Sequence, residues 1–559
     1  MIRTRSFIPA VLLVCIASVA VGQVELVPAD HAVYDFLKRM QVRGLLTGHY
    51  YSASLPYDRR TVAKLIADVD ANADHLSNAE LGFLENYREE FSYELGMPRE
   101  RRVSLLNEGI SSYTDNRQKY LYRYESETAV ITADLLLGAE PQSREYDAKD
   151  PAMTTLWRLG GGLSGTLGGW FGFSMHAVNG YVSGSREAAL QNIEVSRTYK
   201  IGEPDSRFFD YTRGHVRAAN EWGSLTIGRE RPVEGNGVRD RALLFSDHAP
   251  AIDFIGLDLA YKKFFFRFFH GWILGEGIIR NEPEIGWVRD IPDKYVSFHR
   301  FGAHLLRGRL SVAFSEIIVY GDRGLEIAYM TPFLFFKSVE HSLQDRDKAM
   351  LAVDVQARPL PGIEFYGDLL IDDLAFEKLG TNWYGNQYAF RLGTVVAPGF
   401  AGLRNSLVSV DYNRIQPYVY THRIPGNAYT HNGFAMGNPI GPNSDTWSVR
   451  WQELISGAFR TEIYFERSRK GHNLTDPLEG VLRNVGGDVR QGYRIGDSTE
   501  VSFLDGFLER TITYGILLEY EVITQIFLEG GYEYQKREQE WLGQTFHEHF
   551  MFGRIRIEL

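Results

Sequence analysis

Between Tyr261 and Leu274 the chain reads YKKFFFRFFHGWIL, which sets five phenylalanines in six consecutive positions. A strand that lies half-buried in a water-soluble core has one apolar face and one wet one. Here Phe264, Phe266, Phe268 and Trp272 would point one way, and Phe265, Arg267 and Phe269 the other. A strand with aromatics on both faces needs an apolar layer on each side, or lipid outside and packed protein inside.

The rest of the chain narrows the choice. Hydrophobic residues make up 44% and charged residues 23% of the 559 positions, and beyond residue 22 no stretch holds eighteen uninterrupted apolar residues. Transmembrane helices are therefore not expected in the mature chain. At the start, Arg3 and Arg5 precede an apolar run from Phe7 to Ala20 that ends in small residues before Gln23. That order reads as a secretory signal over 1–22. Cys15, the single cysteine, falls inside it, so no disulfide or cysteine-based metal site is expected. Removing the two arginines takes the formal charge from −11 to −13, which argues against nucleic acid as a partner. Aromatics at 13% and 55 glycines lean toward a large antiparallel β structure.

Residues 23–105 read as a small helical bundle. Val33, Phe36, Leu37 and Met40 share one helical face that Gly44 closes; Val62, Leu65, Ile66 and Val69 repeat the pattern; and Ser77 with Glu80 has capping-box spacing. Over 106–559 the period becomes two. Ala129, Ile131 and Ala133 alternate with Thr132 and Asp134, and Phe459, Thr461, Ile463 and Phe465 oppose Arg460, Glu462, Tyr464 and Glu466. Eighteen strands can be placed, joined alternately by short links such as Gly168-Gly169 or Ser456-Gly457 and long ones such as 183–212, 232–251, 320–350, 414–446 and 468–508. Tight turns on one rim and long loops on the other predict an eighteen-stranded antiparallel transmembrane β-barrel, with the helical part on the periplasmic side. One residue strains this reading. Glu316 shares parity with the apolar Leu310, Val312 and Phe314; either a bulge near Ser315 turns it inward or the strand ends before it, and the bulge is the expectation.

Several stretches resemble Wzi-type capsule-assembly proteins of Gram-negative bacteria: VPADHAVYDFLKRM, LTIGRERPVEGNGVRDRALLFSDHAP, KYVSFHRFGAHLL, FSEIIVYG, YGDLLIDD, and above all YNRIQPYVYTHRIPGNAYTHNGFAMGNPIGPNSD over 412–445. The resemblance implies an outer-membrane lectin that holds capsular polysaccharide at the cell surface, with a periplasmic helical part and no catalytic residues. It departs at the end of the chain, where Leu559 stands in place of the usual terminal aromatic residue.

The candidate polysaccharide-binding residues lie in the loop that follows Arg414: Tyr418, Tyr420, His422, Arg423, Tyr429, His431, Asn438, Asn443 and Asp445. Sugars need flat apolar faces to stack on and hydrogen-bonding groups at their edges, and arginine pairs with uronate carboxylates. Expected partners are capsular or other surface polysaccharide and outer-membrane lipid; a monomer without cofactor is expected. The inward-facing charges, among them Arg217, Asp354, Arg358, Arg391, Arg450, Arg460, Glu462, Arg554 and Arg556, would form a paired network filling the lumen or line a conducting pore. A porin or transporter is therefore the alternative function, and an outer-membrane enzyme a third. GGGLSGTLGG over 160–169 lacks the lysine of a phosphate loop and suits a barrel bend. His547-Glu548-His549 puts two imidazoles on one face and suits a polar rim better than a metal. The stretch after the signal is also similar to surface-layer-homology repeats, which bind cell-wall polymers.

Overall fold

Period-two alternation from residue 129 onward produces a closed antiparallel barrel. In the computed structural model, which describes residues 23–97 and 120–559 apart from positions 148, 199, 203, 204, 238, 283, 285 and 477, eighteen long strands pair each with the next in the chain. They are β1 (Ala129–Tyr146), β2 (Ala152–Leu167), β3 (Phe171–Gly184), β4 (Phe208–Ala219), β5 (Gly223–Glu230), β6 (Ile252–Tyr261), β7 (Phe264–Leu274), β8 (Asp293–Leu305) and β9 (Leu310–Gly321). The circuit continues with β10 (Lys348–Leu360), β11 (Ile363–Asp373), β12 (Gln387–Val396), β13 (Ser406–Ile415), β14 (Ser444–Ser456), β15 (Phe459–His472), β16 (Phe507–Ile523), β17 (Ile526–Gln539) and β18 (Gln544–Glu558). β18 closes onto β1 with Ile555 opposite Ala139. Leu135 and Leu559 exchange backbone hydrogen bonds where β18 stops, and the short strand Tyr122–Glu125 pairs with β1 beyond that point. The seam is thus filled from two directions. The signal over 1–22 and the expected boundary near 105 lie outside the described residues.

The two rims differ as the link lengths predict, with three departures. Links 147–151 and 540–543 are short although they lie on the long-loop rim, and 397–405 is extended on the short-turn rim. The first two follow from strand length. β1 to β3 and β15 to β18 run 14 to 18 residues, against 8 to 13 elsewhere, so this side of the wall rises farther and neighbouring strands meet at its top. Outward-facing residues are apolar and exposed, including Leu159, Leu225, Leu392, Ile463 and Met551. Aromatics mark both edges of that band: Trp170, Trp222 and Tyr261 toward the short turns, Tyr181, Phe208 and Trp447 toward the long loops. This is the outer surface of a barrel solvated by lipid.

The helical segment stoppers the short-turn mouth. α1 (Val33–Arg43) ends on Gly44 in the left-handed conformation (φ 78°), α2 (Arg59–Asp70) is capped by the Asp58 side chain, and α3 (Asn78–Glu90) begins with the reciprocal Ser77 and Glu80 capping box. Docking is close. A Cβ on Gly82 of α3 would sit 2.4 Å from Gly457 Cα in the β14–β15 turn, Arg60 donates to Gly169 O at 2.6 Å, and Arg39 donates to Asn405 O at 2.7 Å. The stretch between α1 and α2 rises into the lumen. There Ser54–Leu55 pairs with Val233–Glu234, carried down from the long-loop rim by segment 231–251. Two insertions from opposite ends therefore meet inside the barrel. Leu243, Leu244 and Phe245 of the descending segment pack with the inward faces Phe269, Phe298, Ile317 and Val319 into a lumenal core.

The phenylalanine run now has both its destinations. Phe265 meets Tyr51 of the helical segment at 5.3 Å, Phe269 packs against Phe245, and Arg267 donates to Glu234 and Asp258, all inside the lumen. Phe264, Phe266 and Phe268 point outward. The inward charges form the paired network rather than a line of free groups. Arg217 meets Asp258, Arg300 meets Glu234 and Asp354, Arg358 meets Glu364, and Arg391 meets Asp411. Farther round, Arg450 meets Glu462, Arg460 meets Glu519, Arg554 meets Glu140, and Arg556 meets Glu529.

Glu316 corrects the bulge expectation. β9 runs in unbroken register against β8 and β10, with Glu316 opposite His299 and Leu351, so it keeps the outward parity of Phe314. Its carboxylate is nonetheless buried, because segment 322–347 folds down the outside of the wall and covers it. The carboxyl group meets His299 Nε2 at 2.6 Å and accepts from the backbone amides of Phe336 and Lys337 at 3.1 and 3.4 Å. Covering an outward carboxylate with donors costs less than breaking a ladder to turn it round.

Candidate functional site

The loop 416–443 turns inward over the lumen, and most of its polar residues hold it there. Tyr418 and Tyr420 both adopt positive φ, 63° and 71°. The Tyr420 hydroxyl donates to Leu243 O at 2.6 Å and the Tyr429 hydroxyl to Leu244 O at 2.7 Å, and the two rings stack at 5.5 Å. Tyr418 donates to Asn484 O at 3.1 Å. His431 accepts from Leu274 N and donates to Ala251 O, which fixes its tautomer, and burial pushes its pKa down to about 4. Asn438 donates to Arg241 O, and Asn443 bridges Gly471 O, Asp505 O and Leu504 N. Asp445 lies on the outward face, held by Arg469 and by the Tyr412 hydroxyl. His422 is half-exposed and Arg423 exposed. The sequence-predicted residues are thus split: His422 and Arg423 reach the outer surface together, Asp445 braces β14 against its neighbouring strands, and the other six anchor the loops.

Beside this loop lies an open cleft of about 670 Å³ at the long-loop mouth, lined by segments 433–442, 470–490, 507–509 and 539–541. Its aromatic wall is Trp541, stacked on Phe507 at 5.1 Å and edge-on to His472 at 5.9 Å. Across from it His248 meets Phe434 edge-on at 5.6 Å. Burial, with Arg197 adding to it, pushes His248 down to about 4, so this imidazole is neutral at neutral pH. His422 is held down in the same way by burial and by Lys348. Positive charge comes instead from Lys470 and Arg490. Lys470 donates to the carbonyls of Ile440 and Pro442, and no carboxylate stands within ion-pair distance of it among the described residues. Arg490 is shared with Asp488 at 3.4 Å. Gln539 donates to Glu509 at 2.9 Å and leaves its carbonyl for a ligand hydroxyl.

An aromatic plate, neutral imidazoles, an amide and an ammonium without a contacting carboxylate can stack a sugar ring and pair an acidic substituent. None of these residues was singled out from sequence. Trp541 sits alone in a four-residue link, and the others come from separate segments that the pairing of β13 to β17 and the inward folding of the loops bring together. The His547 and His549 imidazoles face outward and accept from Tyr534 and Tyr532 at 2.7 and 2.8 Å, as members of the polar-aromatic rim. The glycine-rich stretch lies along β2 and its turn, where Gly168 and Gly169 adopt positive φ. The carboxylates and imidazole of Glu340, His341 and Asp345 cluster on the outer loop 322–347.

No protein-family model matches the chain, and no curated protein matches it in sequence. Among solved structures it is similar to Wzi of Escherichia coli, described as an outer membrane protein involved in group 1 capsule assembly and a carbohydrate-binding β-barrel. The likeness has a TM-score of 0.56 at 12% identity, over 95% of this chain and 99% of that one. It is also similar, at a TM-score of 0.42 and 10% identity over 77% of this chain and 99% of that one, to OpdL of Pseudomonas aeruginosa. The fold is that of an outer-membrane β-barrel.

Proposed function

We propose that this protein is an outer-membrane, Wzi-like polysaccharide-binding barrel that anchors capsular or other surface polysaccharide and assists capsule assembly without chemistry of its own. In this reading it works as a monomer with its long loops outside and its helices in the periplasm. The observation that carries it is the cleft beside Trp541. It combines a stacking surface with a lysine that no carboxylate contacts, and it lies above a lumen entered by protein from both ends. His422 and Arg423, reaching the surface of the neighbouring loop, extend the polar surface, and six of the other residues nominated from the 416–445 stretch shape it by fixing the loops. Deleting the gene and comparing cell-bound with released polysaccharide tests the reading; unchanged retention overturns it. A channel is the second reading. It is favoured by a cavity of about 520 Å³ between the helices and the inner wall of β11 to β18, bordered by Lys38, Arg450, Arg460 and Glu529.

A further inference from the structure

Segment 322–347 leaves the long-loop rim but does not stay there. Its Phe333 stacks on Phe266 at 4.8 Å, and Phe266 is the third residue of β7 counted from the short-turn end. Eleven residues rising ~3.3 Å each at a ~40° tilt span ~28 Å of height, close to the ~25 Å apolar band of such barrels. The segment therefore descends through most of the band on the outside of the wall. Tyr329 and Phe336 pack there with the outward-facing Phe268, Tyr295, Ile318 and Tyr320.

Irregular backbone at that depth is tolerated only where its polar groups are satisfied. Three polar residues on the outward face of the wall do this. Ser297 donates to Tyr329 O at 2.6 Å, His299 to Pro332 O at 3.0 Å, and Glu316 accepts from the amides of Phe336 and Lys337. The Lys337 ammonium is paired with Glu340 at 2.6 Å. The segment exposes Leu325 (45%), Ile327 (77%), Phe333 (70%), Leu334 (39%) and Phe335 (49%), and through the Phe333–Phe266 stack this surface joins the exposed wall residues Phe264 and Phe301.

We propose that residues 327–336 form a flap immersed in the bilayer, whose outer face binds lipid acyl chains, while the charged ends of the segment, with Asp322, Asp345 and Arg346 exposed, stay at the long-loop rim beside Arg423 and Asn427. The wall residues Ser297, His299 and Glu316 replace the water that would otherwise solvate its backbone. The acyl chains cover these exposed apolar residues, as they cover the wall on either side.

Single cysteines test this in a C15S background, in the full protein reconstituted into phosphatidylcholine vesicles. Nitroxide labels go at Ile327→Cys and Phe333→Cys, with Ile463→Cys as the wall control and Leu478→Cys, 96% exposed in the outer loop, as the aqueous control. Collision with oxygen relative to a water-soluble nickel chelate should match the wall control and exceed the Leu478 label severalfold. A ratio like that at Leu478 would put the flap in water and overturn the proposal. Low collision with both reagents would mean that a second copy or another protein covers it, and would overturn it equally. Ile327 stands clear of the Phe266 stack, so its label reports even where the Phe333 variant disturbs packing.

Discussion

Arg300 of the wall donates to Glu234 of the descending segment at 2.7 Å, with both side chains fully excluded from solvent. Arg267 reaches the same carboxylate at 2.9 Å, and Arg300 also meets Asp354. One carboxylate thus joins the inner wall to the insertion that crosses the lumen, next to the point where Ser54–Leu55 arrives from the opposite mouth. Removing one partner of a buried ion pair costs up to roughly 3–5 kcal/mol when the other is left uncompensated, and here less, because Arg300 keeps Asp354 and Arg267 keeps Asp258. Glu234→Ala should therefore lower the thermal midpoint in detergent, measured by circular dichroism, and loosen the insertion. In planar bilayers the parent protein should show no steady large conductance, and the variant should show frequent openings. Steady large conductance from the parent would favour the channel reading.

The cleft predicts a division of labour. Trp541→Ala removes the stacking surface, and a lost aromatic contact of ~1.5 kcal/mol corresponds to roughly tenfold weaker binding. Lys470→Gln should weaken binding of acidic polysaccharide while sparing neutral polysaccharide, and the loss should shrink as salt rises. Titration of purified protein with acidic and neutral capsular fragments checks both. Equal losses for the two ligand types on Lys470→Gln would remove the ammonium from the site.

Much of this architecture is legible in sequence, and the unread part has a physical cause. The Ser77 and Glu80 spacing encodes a local device that forms whatever surrounds it. The alternation around Phe459 to Phe465 encodes a strand with two different solvents. The tyrosines of 418–429 were ambiguous, because a ring with a hydroxyl suits a sugar and equally suits a lumen lined by carbonyls. Glu316 misled for a related reason. Parity placed it outward correctly, but which segment would cover it depends on a loop path that no local pattern specifies.

Glu25 gives the docked helical segment a pH dependence. Burial raises its pKa to about 7, opposed by Arg59 at 3.9 Å and a hydrogen bond from Thr166 of β2 at 2.6 Å. A carboxyl whose folded pKa lies above its released value of 4.5 favours docking fully below that value and progressively less as pH rises through 7. The midpoint of thermal unfolding should therefore fall between pH 5 and 8 by an amount corresponding to a few kcal/mol at most. Glu25→Gln should flatten that slope and stabilise the protein at pH 8. Parallel slopes for the two proteins would exclude Glu25 as the source.

The outward carboxylate of Glu316 should control the flap without affecting the barrel. Glu316→Leu leaves the Phe336 and Lys337 amides without their acceptor and the His299 ring without its partner, in surroundings where each unpaired group costs ~1–3 kcal/mol. The wall itself keeps its ladder, since β9 pairs through backbone groups that the substitution does not touch. Hydrogen exchange read by mass spectrometry should show faster exchange over 331–343 and unchanged protection in β8 and β9. Glu316→Gln, which keeps an acceptor oxygen, should recover most of the protection. Loss of protection in β9 together with the flap would mean instead that Glu316 supports the strand. Unchanged exchange in the leucine variant would mean that Tyr329 and Phe336, packed against the wall aromatics, hold the flap without it.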